Sequence, residues 1–335
     1  MSQALLESTV HGEPAVPNEL LSFLKQGKKF LIAGHKEPDG DCLGSQLALA
    51  SALRRMGKET ILCSAGPFER SEINKYKNLF LSAPAEKDAK VILLDCSTLG
   101  RTGDLASHLE GLPLAVIDHH ETKNPADEPL TGAINYVAIN APSTTYLVRK
   151  LILALGLELS REEAELLFFG LCTDTGFFRH VDNTGVACFE AAAALIRCGA
   201  NPKAAFAEIN GGKSLESRKR VGHLLLNTES FYDGKMLLST EELEKTSLFG
   251  LHDRDSDSVY QLLQAVAGAE VIVLIRQENA EKCNIGLRSR SIVDVGSIAA
   301  SLGGGGHKNA AGISLEGTIN ELKPIIVNAF ADSMK

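Results

Sequence analysis

The chain has no tryptophan, and aromatic residues make up only 5% of its 335 positions. Few rings are therefore available to stack the bases of a long single strand. No apolar run approaches the roughly 18 residues that a membrane-spanning helix needs, which excludes a helical membrane protein. The first twenty residues lack both a basic stretch and an uninterrupted apolar one, so no secretory signal is read there and a cytoplasmic location is expected. The seven cysteines are scattered singly, without CxxC pairs, which excludes a disulfide scaffold and predicts reduced thiols. Positive charge is also scarce. A formal net charge of −8 argues against the broad basic surface that tracks long nucleic acids. An anionic substrate is then expected to be small, or to be held by a local pocket.

What is present fits a folded protein of two domains. Hydrophobic residues make up 44% and charged residues 23%, and a chain of this length usually splits into two cores. The runs KFLIAG (29–34), ETILCS (59–64), KVILLD (90–95) and LAVID (114–118) are continuously apolar and end in polar residues. Such strands suit a parallel sheet covered on both faces. Helical periodicity follows over 42–56, 143–155, 161–171 and 185–197. Residues 200–221 contain Pro202, the Gly211-Gly212 pair and several charges, and are read as the linker. The remainder alternates strand and helix again. The expected fold is α/β: a larger N-terminal domain over 1–199, with a mainly parallel sheet and a short extension at 1–20, and a smaller α/β domain over 222–335. The active site is expected in the cleft between the two.

Acidic and histidine residues collect where the apolar strands end, the side of an open α/β sheet where ligands bind. Four segments carry them: GHKEPDGD (34–41), LLDCS (93–97), VIDHH (116–120) and CTDTGFF (172–178). His35, Asp39 and Asp41 share one loop, while Asp95, His119 and Asp174 add carboxylates and an imidazole. Local alternatives exist for several of them: Asp39-Gly40 is good turn chemistry, and Asp95 or Asp174 could cap a helix. DHH after an apolar strand has no packing rationale. Four carboxylates in one place repel one another unless cations neutralise them, and two divalent ions supply the matching charge. The mixed oxygen and imidazole set suits Mn²⁺, with Mg²⁺, Zn²⁺ and Co²⁺ as alternatives. Cys42, Cys96 and Cys172 lie next to these residues in sequence but are read as small apolar packing groups. In the second half, Gly303 to Gly306 followed by His307, with Arg288 and Arg290 upstream, reads as an anion pocket, because glycine amides approach phosphate closely and arginine offers a planar fork.

These four segments resemble the metal-binding motifs of the DHH phosphoesterase superfamily. GLRSR (286–290) and GGGGHKNAAG (303–312) resemble the substrate-binding motifs of its DHHA1 companion domain, and the order and length look most like its nanoRNase and pAp-phosphatase branch. The resemblance implies a metal pair bridged by Asp95, with His35 and Asp39 on one ion and Asp41, His119 and Asp174 on the other. Asp118 is then an orienting residue and His120 faces the scissile phosphate. Arg288, Ser289, Arg290, Gly304, Gly305, Gly306 and His307 are the implied substrate contacts. The activity implied is metal-dependent hydrolysis of short RNA oligonucleotides or of 3'-phosphoadenosine 5'-phosphate. The alternatives are a phosphodiesterase for c-di-AMP or its linear product pApA, and a nucleotide- or RNA-binding module without turnover. No membrane or long nucleic-acid partner is expected. A homodimer is compatible with the sequence, which displays no interface.

Overall fold

Leucine-rich and β-branched runs in the first half form a five-stranded sheet because every second residue finds an apolar face to bury on each side. The computed structural model describes residues 14–120, 132–249 and 254–334. Two compact units divide at Gly212 and Lys213, inside the segment read as a linker.

In the first unit the order is α1 (Asn18–Gln26), β1 (Lys29–Gly34), α2 (Gly40–Arg55), β2 (Glu59–Cys63), β3 (Lys90–Leu94), α3 (Ala106–Leu109), β4 (Leu114–Asp118), β5 (Ile134–Val137), α4 (Thr144–Ala154), α5 (Arg161–Asp174), α6 (Val186–Arg197) and α7 (Pro202–Asn210). The sheet runs β2-β1-β3-β4-β5 and every pairing is parallel. Phe30, Ile32, Ile92, Leu94 and Ile117 bury into one apolar cluster, while Leu31, Ala33, Val91, Leu93 and Val116 bury into another. That alternation is the signature of a sheet covered on both faces. The strand order reverses between β1 and β3, so the loops leaving them part in opposite directions and open a crevice at the strands' carboxyl ends.

α1 and β5 are among the elements outside the sequence expectation. α1 begins at Asn18, within the segment read as an extension, and buries Leu20 and Leu24 completely. Residues 1–13, part of the stretch read for a leader, lie outside the described residues. β5 is a four-residue edge strand in which only Tyr136 is fully buried, too weak a pattern to stand out. The stretch 200–221 holds α7 and the start of α8 (Leu215–Leu226), with Gly211 and Gly212 between them.

The second unit continues with β6 (Glu229–Phe231), β7 (Met236–Glu241), α9 (Leu243–Phe249), α10 (Ser256–Gln264), β8 (Val271–Asn279), β9 (Lys282–Ser289), α11 (Val295–Ser301), β10 (Gly305–His307), β11 (Ala310–Glu316) and α12 (Ile319–Ala329). Its sheet runs β10-β11-β9-β8-β7-β6, antiparallel except for β7 with β8. The glycine run, read as part of an anion pocket, enters the sheet as edge strand β10, with Gly306 opposite Ala311. Just before it, a Cβ on Gly304 would lie 2.4 Å from the Gly312 carbonyl oxygen, so that position excludes a side chain. Among the described residues, no helix is long and apolar enough to cross a membrane.

Candidate metal centre

The loop after β1 begins the site. Asp39 is the N-cap of α2, its Oδ1 accepting from the amides of Asp41 and Cys42 at 3.0 Å each, so the local capping role is real. The same Oδ1 lies 3.9 Å from Nε2 of His35. Asp41 is wholly buried against the N-terminus of α4. Its carboxylate accepts from the Thr144 amide at 2.6 Å, the Thr145 amide at 2.9 Å and the Thr145 hydroxyl at 2.6 Å. Helix N-termini offer such unpaired amides to anions.

Asp95 follows β3 with φ of 62°, a left-handed conformation that costs a non-glycine residue and is held by its surroundings. The Thr144 hydroxyl donates to its Oδ1 at 2.8 Å. Three imidazoles surround it: His35 Nε2 at 3.4 Å, His119 Nε2 at 3.6 Å and His120 Nδ1 at 3.7 Å. Asp174 is the last residue of α5 rather than the end of a strand, because the helical register runs on through Cys172 and Thr173. Its Oδ2 lies 3.6 Å from His119 Nε2, and Asp41 Oδ2 lies 3.9 Å from the same nitrogen.

The histidines are turned by backbone acceptors. His35 Nδ1 donates to the Lys36 carbonyl at 2.8 Å, and His119 Nδ1 donates to the Ala141 carbonyl at 3.1 Å. In the neutral rings each Nε2 is then the inward lone pair, the arrangement that metal-ligating histidines adopt. His119 Nε2 is buried and has no hydrogen-bond partner among the described residues. A lone pair orphaned among three carboxylates fits a divalent cation. Asp41, His119 and Asp174 form one potential ligand group, and Asp95 joins a second with His119 and His120. Cys42 Sγ falls in a third with His35 and Asp95. Burial pushes that thiol's pKa well up, and it donates to Gln46 Oε1, which suits the packing role expected of it.

Without a cation the acids strain against one another. Burial, then Asp95 and Asp174, push Asp41 well above the usual carboxylate range, although Thr145 pulls the other way. Burial, then Asp95 and Asp39, push Asp174 up to about 7. Burial acts upward on Asp95 too, but His35, His119 and His120 together bring it down to about 2. A bound divalent charge relieves this conflict.

Asp118 and His120 form a pair beside the ring. Asp118 Oδ1 accepts from His120 Nδ1 at 2.8 Å and from the amides of His119 and His120, while the Ser97 hydroxyl donates to Oδ2 at 2.6 Å. That carboxylate raises His120 to about 9 against the effect of burial, so the imidazole is cationic near neutral pH. Ser97, Thr144 and Thr145 were not picked out from sequence. The available signals were the serine inside LLDCS and the Ser-Thr-Thr run that opens α4.

In the second unit an open basin of about 420 Å³ is lined by Tyr260, Gly286, Arg288, Gly305, Gly306 and Gly312, among others. Arg288 lies over the Tyr260 ring at 4.5 Å, a cation–π contact that fixes its plane. Gly304 packs behind β11, and His307 is exposed on β10. Ser289 and Arg290 do not line the basin: the Ser289 hydroxyl donates to Glu270 Oε1 at 3.0 Å, and Arg290 is exposed.

A parallel sheet with carboxylates and imidazoles gathered at its switch point, together with an arginine-bearing glycine basin, defines a hydrolase of phosphate esters. Residues 29–171 match the DHH family, N-terminal domain, residues 245–334 match the DHHA1 domain, and the chain belongs to this family. It is 33% identical to the bifunctional oligoribonuclease and PAP phosphatase NrnA of Thermus thermophilus, over 85% of the chain and 84% of the relative. It is 27% identical to the probable enzyme of that name from Streptococcus mutans, over 88% of the chain and 91% of the relative. An exopolyphosphatase-related protein from Bacteroides fragilis shares the fold, with a TM-score of 0.80 at 23% identity over 95% of this chain and 96% of that one.

Proposed function

We propose that the chain hydrolyses very short oligoribonucleotides and 3'-phosphoadenosine 5'-phosphate with two divalent ions, manganese foremost, in the cytoplasm. The observation that carries the reading is the orphaned His119 Nε2 within 3.9 Å of Asp41, Asp95 and Asp174. The activities named for the Thermus and Streptococcus relatives support the substrate class. Asp95, with His35 and Asp39 on one side and Asp41, His119 and Asp174 on the other, would hold the ions. Bound there, divalent ions neutralise phosphoryl oxygens and lower the pKa of a water.

The chain's own groups do the rest. Asp118 accepts a hydrogen bond from His120 Nδ1–H and leaves the ring's other N–H to stabilise charge on the phosphate or to protonate the leaving oxygen. Ser97 and the two loop amides hold Asp118 in place for that task. Arg288, pinned on Tyr260, takes the anionic end of the nucleotide. The acidic surface disfavours long strands, so turnover is confined to short substrates.

A substrate panel under metal titration tests this. Phosphate or mononucleotide release is expected from 3'-phosphoadenosine 5'-phosphate and RNA dinucleotides, with far slower cleavage of a 24-mer and of c-di-AMP. Asp174→Asn and His119→Ala are each expected to lower activity by at least about a hundredfold at fixed metal. Full activity in either variant contradicts the ligand assignment. Equal rates on the dinucleotide and the 24-mer contradict the substrate class.

A further inference from the structure

The segment that supplies Asp174 continues into two phenylalanines with an unusual backbone. Phe177 has φ of 55° and Phe178 has φ of 70°, consecutive left-handed residues where bulky side chains are seldom found. Such strain persists only where the surroundings fix it, and it clusters at binding sites. Here the Phe177 amide donates to the Cys172 carbonyl at 2.7 Å and the Phe178 amide to the Thr175 hydroxyl at 3.2 Å. The result turns both rings into an aromatic group. Phe178 stacks on Phe189 of α6 at 5.3 Å and 28°, and Phe177 meets Phe206 of α7 edge-on at 5.1 Å. Four of the thirteen phenylalanines of an aromatic-poor chain therefore meet here. Phe189 is 51% exposed and Phe206 is 52% exposed.

The neighbours favour one kind of occupant. Arg179 is exposed and fixed by its Nε–H on the Gly176 carbonyl at 3.0 Å, which leaves the rest of its guanidinium donors for an anion. Phe177 and Phe178 lie three and four residues beyond Asp174 and hold Phe206 and Phe189 by ring contacts, which ties the rings to the segment that carries that carboxylate. Two half-exposed phenyl rings present roughly 200 Å², far below the roughly 800 Å² per partner of a stable protein interface. A flat heterocycle attached to phosphate matches both the rings and the arginine.

We propose that Phe189 and Phe206, buttressed by Phe178 and Phe177, form a nucleobase-stacking subsite on the first unit, with Arg179 beside it for a neighbouring phosphate. This rests on the nucleotide reading of the site above. It assigns these residues a specificity role: stacking tolerates any base but requires one.

The test compares wild type with Phe189→Ala and Phe206→Ala on an RNA dinucleotide and on its abasic analogue, together with quenching of a dinucleotide containing 2-aminopurine. KM for the RNA dinucleotide is expected to rise about tenfold in each variant, with kcat within about twofold, no change on the abasic analogue, and loss of quenching. Phe189→Leu and Phe206→Leu keep the apolar bulk and should show the same loss. An unchanged KM with quenching retained overturns the subsite. So does an equal rise on both substrates, which marks a structural effect, and so does a change in sedimentation without a change in KM, which marks a protein contact. If wild type cleaves no nucleotide with any divalent ion, the function proposed above fails, whereas quenching that depends on Phe189 and Phe206 still decides the subsite.

Discussion

Asp95 lies within 3.7 Å of three imidazoles, and the protonation states of the ring follow from that crowding. Asp174 is raised to about 7 by burial and then by Asp95 and Asp39, so the folded protein holds a proton that the unfolded chain, near 3.9, releases. Its contribution to stability is therefore lost as pH rises from about 4 to 7. Asp118 raises His120 to about 9; at His35 burial acts downward, but the Asp95 hydrogen bond, the charges of Asp95 and Asp39 and the Lys36 carbonyl together outweigh it and raise that imidazole too. Both histidines favour the fold fully below about 6.5 and lose that contribution as pH climbs through their folded values. Chelated protein is accordingly expected to melt at progressively lower temperature between pH 5 and 9, and added Mn²⁺ to raise the melting temperature more at pH 8 than at pH 5. Scanning fluorimetry with and without chelator measures both, and a chelated melting temperature that climbs across this range contradicts the ring of groups described. At this scale the sequence displayed the acids and histidines but hid their partners. Thr144 and Thr145 reach Asp41 from about a hundred positions away, a contact that no local pattern encodes.

The approach of α2 to α5 brings Asp41 and Asp174 into one site, and glycine permits it. A Cβ at Gly170 would lie 2.4 Å from Thr145 Cγ2 and 3.0 Å from the Gly40 carbonyl oxygen. Gly44 and Gly40 face the same contact, with a Cβ at Gly40 only 2.3 Å from Thr173 Oγ1. Gly170→Ala is expected to cost about 1–3 kcal/mol in chemical denaturation. By displacing Thr145 from Asp41 it should also weaken metal binding about tenfold, read by metal titration. Unchanged metal affinity in a folded variant means that the crossing does not set the site. The long apolar strands β1, β3 and β4 were legible because each is buried on both faces, whereas β5, β6 and β10 were not. Those three are short or edge strands, and partner strands rather than their own residues define them. The helical glycines looked unremarkable in sequence because close approach is a property of two helices together.

Every proposed metal-holding residue lies in the first unit, and Arg288 with its basin lies in the second. Metal binding and nucleotide gripping should then separate by mutation. Arg288→Ala is expected to raise KM for 3'-phosphoadenosine 5'-phosphate about tenfold or more while leaving metal affinity within about twofold. Steady-state kinetics with a parallel metal titration measures the pair, and a large fall in metal affinity contradicts the division of labour.

The sequence by itself determined which acids and histidines follow the apolar strands, and the family, because each is written in short contiguous motifs. Tertiary structure decided which partners complete them. It turned His119 by the Ala141 carbonyl, gave Asp118 to His120 and Ser97, diverted Ser289 to Glu270, and brought Phe189 and Phe206 onto Phe178 and Phe177. The physical reason is range. A motif records what neighbours along the chain can do, while hydrogen-bond geometry and close packing between distant segments exist only once the sheet and helices have brought them together.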